Sequence, residues 1–128
     1  MSATVAPASI PAAPRPQLWR ITDRRSFQEL RRHGRRARRG PLTVTFLADA
    51  SPQPRVGFAV GKTAGGAVTR NRIRRRLRAA LRELLAAGRL PTGTYLVGAG
   101  AAVAPMPWTE LVALVEDAVA SVAGAEPR

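Results

Sequence analysis

Val56-Gly-Phe-Ala-Val-Gly-Lys-Thr-Ala-Gly-Gly-Ala-Val-Thr-Arg-Asn-Arg-Ile-Arg-Arg75 contains a strand, a break and the start of a helix. Val56, Phe58 and Val60 alternate with Gly57, Ala59 and Gly61, which is the two-residue period of a strand with one apolar face. The small residues leave the other face shallow, a place reserved for a close partner. Gly65 and Gly66 break the chain. Beyond them Ile73, Leu77, Ala80, Leu81 and Leu84 fall on one side at 100° per residue, so a helix is expected over 67–87. A strand feeding a helix through glycines sets the class, and the flanking segments decide what surrounds it.

Upstream, Leu42, Val44, Phe46 and Ala48 alternate with Thr43, Thr45 and Leu47, which predicts a second strand, antiparallel to the one at 56–60. The two prolines within 50–54 make the intervening turn. Arg35, Arg36, Arg38 and Arg39 read as a basic turn. Ile21, Phe27 and Leu30 set a helical rhythm over 23–33, with Asp23 as its cap and Gly34 as its end. Residues 1–17 carry Pro7, Pro11, Pro14 and Pro16 and read as a disordered tail. Downstream, Gly88 ends the central helix, 91–93 turns, and Thr94–Ala99 is a short apolar strand. Pro107 opens a last helix that buries Trp108, Leu111, Val112, Val115, Val119 and Val122, and Gly124 ends it. The expected fold is α+β, one sheet packed by helices, in a single domain over 18–123 with a short tail at 124–128.

Charge then narrows the partner. The 128 residues carry 21 basic and 8 acidic side chains, a net +13, and Lys62 is the only lysine. From Arg15 to Arg82 there are 19 basic residues against three acids (Asp23, Glu29 and Asp49), whereas from Glu83 onward two basic residues face five acids. Such one-sided charge suits a polyanion. Its densest part is the central helix, where Arg70, Arg72, Arg74, Arg75, Arg76, Arg78 and Arg82 follow one another with no acid between them. Like charges at i,i+4 repel, and the guanidinium fork matches phosphate oxygens. Arg74, Arg78 and Arg82, with Asn71 and Arg75 beside them, are expected to face away from the apolar side. Arg70 lies near that side, in a position to brace the fold.

Other chemistries find little support. Gly61-Lys62-Thr63 suggests a phosphate-binding loop, but only three residues separate Gly57 from Gly61 where four are required. There is no cysteine, and His33 is the only histidine. Glu116 and Asp117 are adjacent and so point apart on a helix. No metal-ligand spacing is present, so any catalysis must draw its chemistry from another molecule. No apolar run approaches the roughly 20 residues that span a bilayer, and the start lacks a signal-peptide pattern. A cytoplasmic protein is expected, with no membrane partner.

The opening segment resembles the signature of the bacterial ribonuclease P protein component, centred on Ala67-Val68-x-Arg70-Asn71-Arg72-Ile73-x-Arg75. Ser26-Phe27-Gln28-x-Leu30-x-x-His33-Gly34 is similar to the family's first helix, and Thr94-Tyr95-Leu96-Val97 to its last strand. The resemblance covers about 21–122. It implies an αβββαβα sandwich, ribosomal protein S5 domain 2-like, with a left-handed βαβ crossover against the usual hand. It also implies a short strand near 35–40. By the same resemblance the protein assists a catalytic RNA that removes the 5′ leader of precursor tRNA. Hydrolysis is carried by that RNA and its magnesium, with no cofactor held tightly by the protein.

The family roles carry over as follows. Arg70, Asn71, Arg72, Arg74 and Arg75 face the catalytic RNA, and Arg78 and Arg82 extend that surface along the same helix. Phe27, Phe46 and Lys62, with Arg31, line a cleft for the leader, where rings stack on unpaired bases. Arg35, Arg36, Arg38 and Arg39 add phosphate contacts. The sequence departs from the family at Arg31, where a second aromatic is frequent, at Gly61 and Thr63, and at Gly100. Two other readings compete. A general RNA-binding or ribosome-associated protein of the same fold leaves the glycine-rich entry to Arg70 unexplained. A DNA-binding protein would want a helix-turn-helix or a dimer seam, and neither is evident, so no DNA partner is expected.

Overall fold

The computed structural model describes residues 18–49 and 52–124. The tail at 1–17, residues 125–128 and part of the turn at 50–54 lie outside the described residues. In chain order the elements are β1 (Trp19–Arg20), α1 (Arg24–His33), β2 (Arg35–Arg39), β3 (Leu42–Leu47), β4 (Arg55–Ala59), α2 (Ala67–Ala86), β5 (Thr94–Ala99) and α3 (Trp108–Val119). The αβββαβα order is present, preceded by the two-residue β1.

The strands form one sheet in the order β1-β4-β5-β3-β2. β5 lies at its centre, parallel to β4 and antiparallel to β3. Val44 and Phe58 both register with Val97, and Phe46 and Val56 both register with Tyr95. This places the apolar sides of three strands on one face. There α2 buries Ile73, Leu77, Ala80, Leu81 and Leu84, and α3 buries Leu111, Val115, Ala118 and Val119. These are the α2 positions that the 3.6-residue period selects. Each fully buried Leu or Ile contributes about 1.5–3 kcal/mol of transfer free energy, so this face holds the core. α1 packs across the opposite face, where Leu30 is buried. Its first turn is closed by Asp23, whose carboxylate accepts from the Ser26 amide at 2.9 Å.

Two expectations are corrected, the turn at 35–39 and the buried side of α3, and two strand neighbours are found that no expectation covered. Residues 35–39 are a strand, as the resemblance implies, and not a turn. The turn is confined to Gly40 (φ 57°) and Pro41, and β2 pairs with β3 along its whole length. An arginine-rich edge strand also discourages further pairing. β4 runs antiparallel to β3 but does not pair with it, because β5 lies between them. β1, too short to show a period, pairs parallel with β4 at Trp19↔Arg55 and Arg20↔Val56. Trp108 is 37% exposed and Val112 is half-buried, so the buried side of α3 begins at Leu111. A π-helical turn over Ala120–Gly124 then keeps Val122 in the core.

Candidate nucleic-acid interface

The arginines of α2 separate into three groups by what they touch. Arg72, Arg75 and Arg82 are exposed, as is Asn71. On the sheet-edge side, Arg74 is half-buried and donates to Asn71 Oδ1 at 2.7 Å. Arg78 lays its guanidinium 5.3 Å from the centre of the Phe58 ring. Arg70 is half-buried, and its Nε is buried without a hydrogen-bond partner. On the side facing α3, Arg76 donates to the carbonyls of Val103 at 2.6 Å, Ala104 at 2.8 Å and Met106 at 2.5 Å, and sits 6.0 Å from the Trp108 ring.

The outward line is therefore Arg72, Arg75 and Arg82, while Arg74 and Arg78 lean onto the molecule. Among the described residues no carboxylate forms a salt bridge with any arginine of α2. The helix begins at Gly66 with no side-chain cap and no acid in its first turn, which leaves the positive end of its dipole bare. The exposed guanidinium groups of Arg72, Arg75 and Arg82 and the start of the helix are thus left without a carboxylate partner among the described residues.

The open face of the sheet carries a groove lined by Arg36, Arg38, Thr43, Thr45, Ala59 and Gly98, among others. Ala59 and Gly98 keep its floor low. Gly57 does not contribute to it, because Phe27 of α1 covers that position. A Cβ there would lie 2.9 Å from Phe27 Cε1. The shallow face of β4 is thus partly filled by the chain's own first helix and partly left open. Phe27 is half-buried on this face, Arg31 is exposed on α1, and Lys62 is exposed in the 3-10 turn after β4. Neither these three nor Phe46 line the groove.

Phe46 is a correction. It is 8% exposed, lies on the core face and packs on Tyr95 with ring centroids 4.8 Å apart. It is a core residue. Arg39 is likewise committed internally, donating to Asp117 at 2.7 Å and to Ser121 Oγ at 2.8 Å. Arg35, Arg36 and Arg38 are exposed.

Counter-charges are spent elsewhere. Arg55 lies 3.8 Å from Asp23 and 3.5 Å from Asp49, and donates to Thr94 Oγ1 at 2.9 Å. The Thr94 hydroxyl in turn donates to Asp49. Hydrogen bonds from Ser26 hold the Asp23 carboxyl below the usual carboxylate range. Its folded pKa is lowered, so its contribution is present above the ordinary carboxylate value and is lost as pH falls through the folded one. Burial pushes the Tyr95 phenol well above its ordinary value, so its hydroxyl stays protonated and donates to the Pro91 carbonyl at 2.6 Å. Among the described residues no three His, Asp or Glu side chains gather in a metal-binding group. No helix is long and apolar enough to cross a membrane.

Sequence reasoning missed Arg20, which β1 places beside Val56. It also counted Arg76 among the seven arginines of the helix without giving it a role. Only the loop at 103–106, which has no periodicity, reveals its role.

Comparison with known proteins bears directly on this surface. The family described as Ribonuclease P matches residues 16–123. The ribonuclease P protein component of Thermobifida fusca (strain YX) is 40% identical over 112 residues, 80% of this chain and 75% of that protein. That of Streptomyces avermitilis is 41% identical over 88 residues, 61% of this chain and 69% of that one. Among solved structures, the RNase P protein of Thermotoga maritima superposes with a TM-score of 0.70 at 19% identity, covering 80% of this chain and 96% of the other. The Staphylococcus aureus RNase P protein superposes with a TM-score of 0.66 at 22% identity, covering 78% and 91%.

Proposed function

The chain belongs to the ribonuclease P protein family, and on that premise we infer that it is the protein subunit that acts in 5′ maturation of tRNA. It binds the catalytic RNA of the holoenzyme and the 5′ leader of precursor tRNA, and works in the cytoplasm. The observation that carries this reading is the unneutralised arginine surface of α2 around Arg70-Asn71-Arg72. Exposed guanidinium groups with no carboxylate salt bridge among the described residues repel one another until phosphates approach. Their binding releases counterions from the RNA, which makes affinity steeply salt-dependent.

The leader is assigned to the open face of the sheet. There Arg36 and Arg38 flank a groove with a low floor, and Phe27 stands beside it for stacking. Phe46 has no part in that role. The residues present do not fit a metal held by the protein: His33 is alone, and Asp23 and Asp49 are engaged with Arg55. The reading assigns magnesium and the hydrolytic chemistry to the RNA, as the resemblance implies, and the protein alone is expected to cut nothing.

The competing reading is a general RNA-binding or ribosome-associated protein of the same fold, and the copurifying RNA decides between them. Isolated from its own cells at low salt, the protein is expected to carry ribonuclease P RNA as the dominant species. Ribosomal RNA in its place would support the alternative, and an RNA-free protein would remove both.

A further inference from the structure

On the edge of the sheet, β1 and α2 enclose a small pocket lined by Leu18, Arg20, Val56, Phe58, Arg78 and Arg82, with Trp19 at its rim. Arg20 pairs with Val56 across β1 and β4, and paired residues share a face, so Arg20 points to the α2 side. There it joins Arg78 and Arg82, which are one helical turn apart. Three guanidinium groups from two elements far apart in sequence converge over an apolar floor. Arg78 is held in place by the Phe58 ring at 5.3 Å, which restricts its side chain before any ligand arrives. Such preorganisation lowers the entropy lost on binding.

The chain has counter-charges and places them at other arginines. Arg55, Arg39 and Arg89 each have a carboxylate partner. Among the described residues, none pairs with Arg20, Arg78 or Arg82. A concave site with three unpaired forks and no competing acid is complementary to a phosphate group. The pocket shares Arg82 with the outward line but takes in neither Arg72 nor Arg75, and it is separate from the groove on the opposite face.

We propose that Arg20, Arg78 and Arg82 form a clamp for a single backbone phosphodiester of RNA, a second grip that β1 adds to the arginine helix. This rests on the RNA-binding reading above and specifies it further. The test uses the full chain and ribonuclease P RNA, with affinity measured across a range of salt. Arg20→Ala is expected to weaken binding roughly tenfold with little change in slope, because Arg78 and Arg82 still hold the phosphate, whereas Arg20→Ala with Arg78→Ala and Arg82→Ala lowers the log–log salt slope by roughly 0.7–0.9, the change for one phosphate. Arg20→Lys should recover only part of the affinity, since it keeps the charge and loses the fork. Because both arginines hold one phosphate, the loss in Arg20→Ala with Arg82→Ala should be smaller than the product of the two single losses.

Unchanged affinity in Arg20→Ala, a slope in the triple variant that stays the same or falls by three phosphates' worth, or losses that multiply, would overturn the clamp while leaving RNA binding by the rest of α2 intact. The same holds if Arg20→Ala abolishes protection by inorganic phosphate against thermal unfolding yet leaves RNA affinity untouched, since the ligand would then be a free anion. Failure of the unaltered protein to bind the RNA at all would instead remove the functional reading, and the clamp with it.

Discussion

Alanine at both Arg72 and Arg75 lowers affinity for ribonuclease P RNA by roughly 10- to 100-fold and flattens the log–log salt dependence by roughly 1.4–1.8, the sum of two phosphate contacts. Both side chains are exposed, both belong to the outward line of α2, and neither has a carboxylate partner among the described residues. Their removal costs the fold nothing it uses. Thermal stability should hold or rise slightly, because like charges along the helix repel by a few tenths of a kcal/mol per pair. Binding measured between low and moderate salt separates this from unfolding. A double variant that keeps the full salt slope would mean that this line of α2 does not face phosphate.

Alanine at Arg76, four residues from Arg72 on the same helix, has the opposite signature. Its guanidinium holds three loop carbonyls, those of Val103, Ala104 and Met106, and in this way seats the start of α3 against α2. Removing it leaves part-buried acceptors without their charged donor. At about 1 kcal/mol or somewhat more for each bond, the total loss is about 3 kcal/mol. For a domain of this size that lowers Tm by roughly 10 °C or more. The salt slope of RNA binding should not change. Arg76→Lys should recover only part of the stability, since an ammonium cannot span three carbonyls in the same plane. A variant with unchanged Tm and a lower slope would place Arg76 at the RNA.

These three arginines mark what the sequence shows and what it hides. The period of α2 identifies Ile73, Leu77, Ala80, Leu81 and Leu84 as core because burial on a helix repeats every turn, and all five are buried. The alternation over 42–47 places Phe46 on the core face just as directly, and that local signal is the correct one. The resemblance assigned Phe46 to a leader cleft, whereas the open groove of the sheet lies on the other face. Arg39 and Arg76 could not be distinguished from their neighbours by charge alone. Their partners, Asp117 and the loop at 103–106, are distant in sequence. β2 was hidden for a different reason. Its strand character comes from pairing with β3, whereas its composition reads as a charged turn. The neighbour of β4 was equally illegible, since alternation reports which face is buried and not which strand lies alongside. The function stood out early because seven arginines on one helix with no acids are costly without a polyanion.

Cleavage of precursor tRNA by bacterial ribonuclease P RNA, at a magnesium concentration too low for the RNA to act alone, tests the central claim most directly. With this protein added, a single cut at the 5′ mature end is predicted, and none with the protein in the absence of the RNA. Cleavage that stays unchanged while the protein still binds the RNA tightly would contradict the subunit assignment and leave a general RNA-binding protein of the same fold.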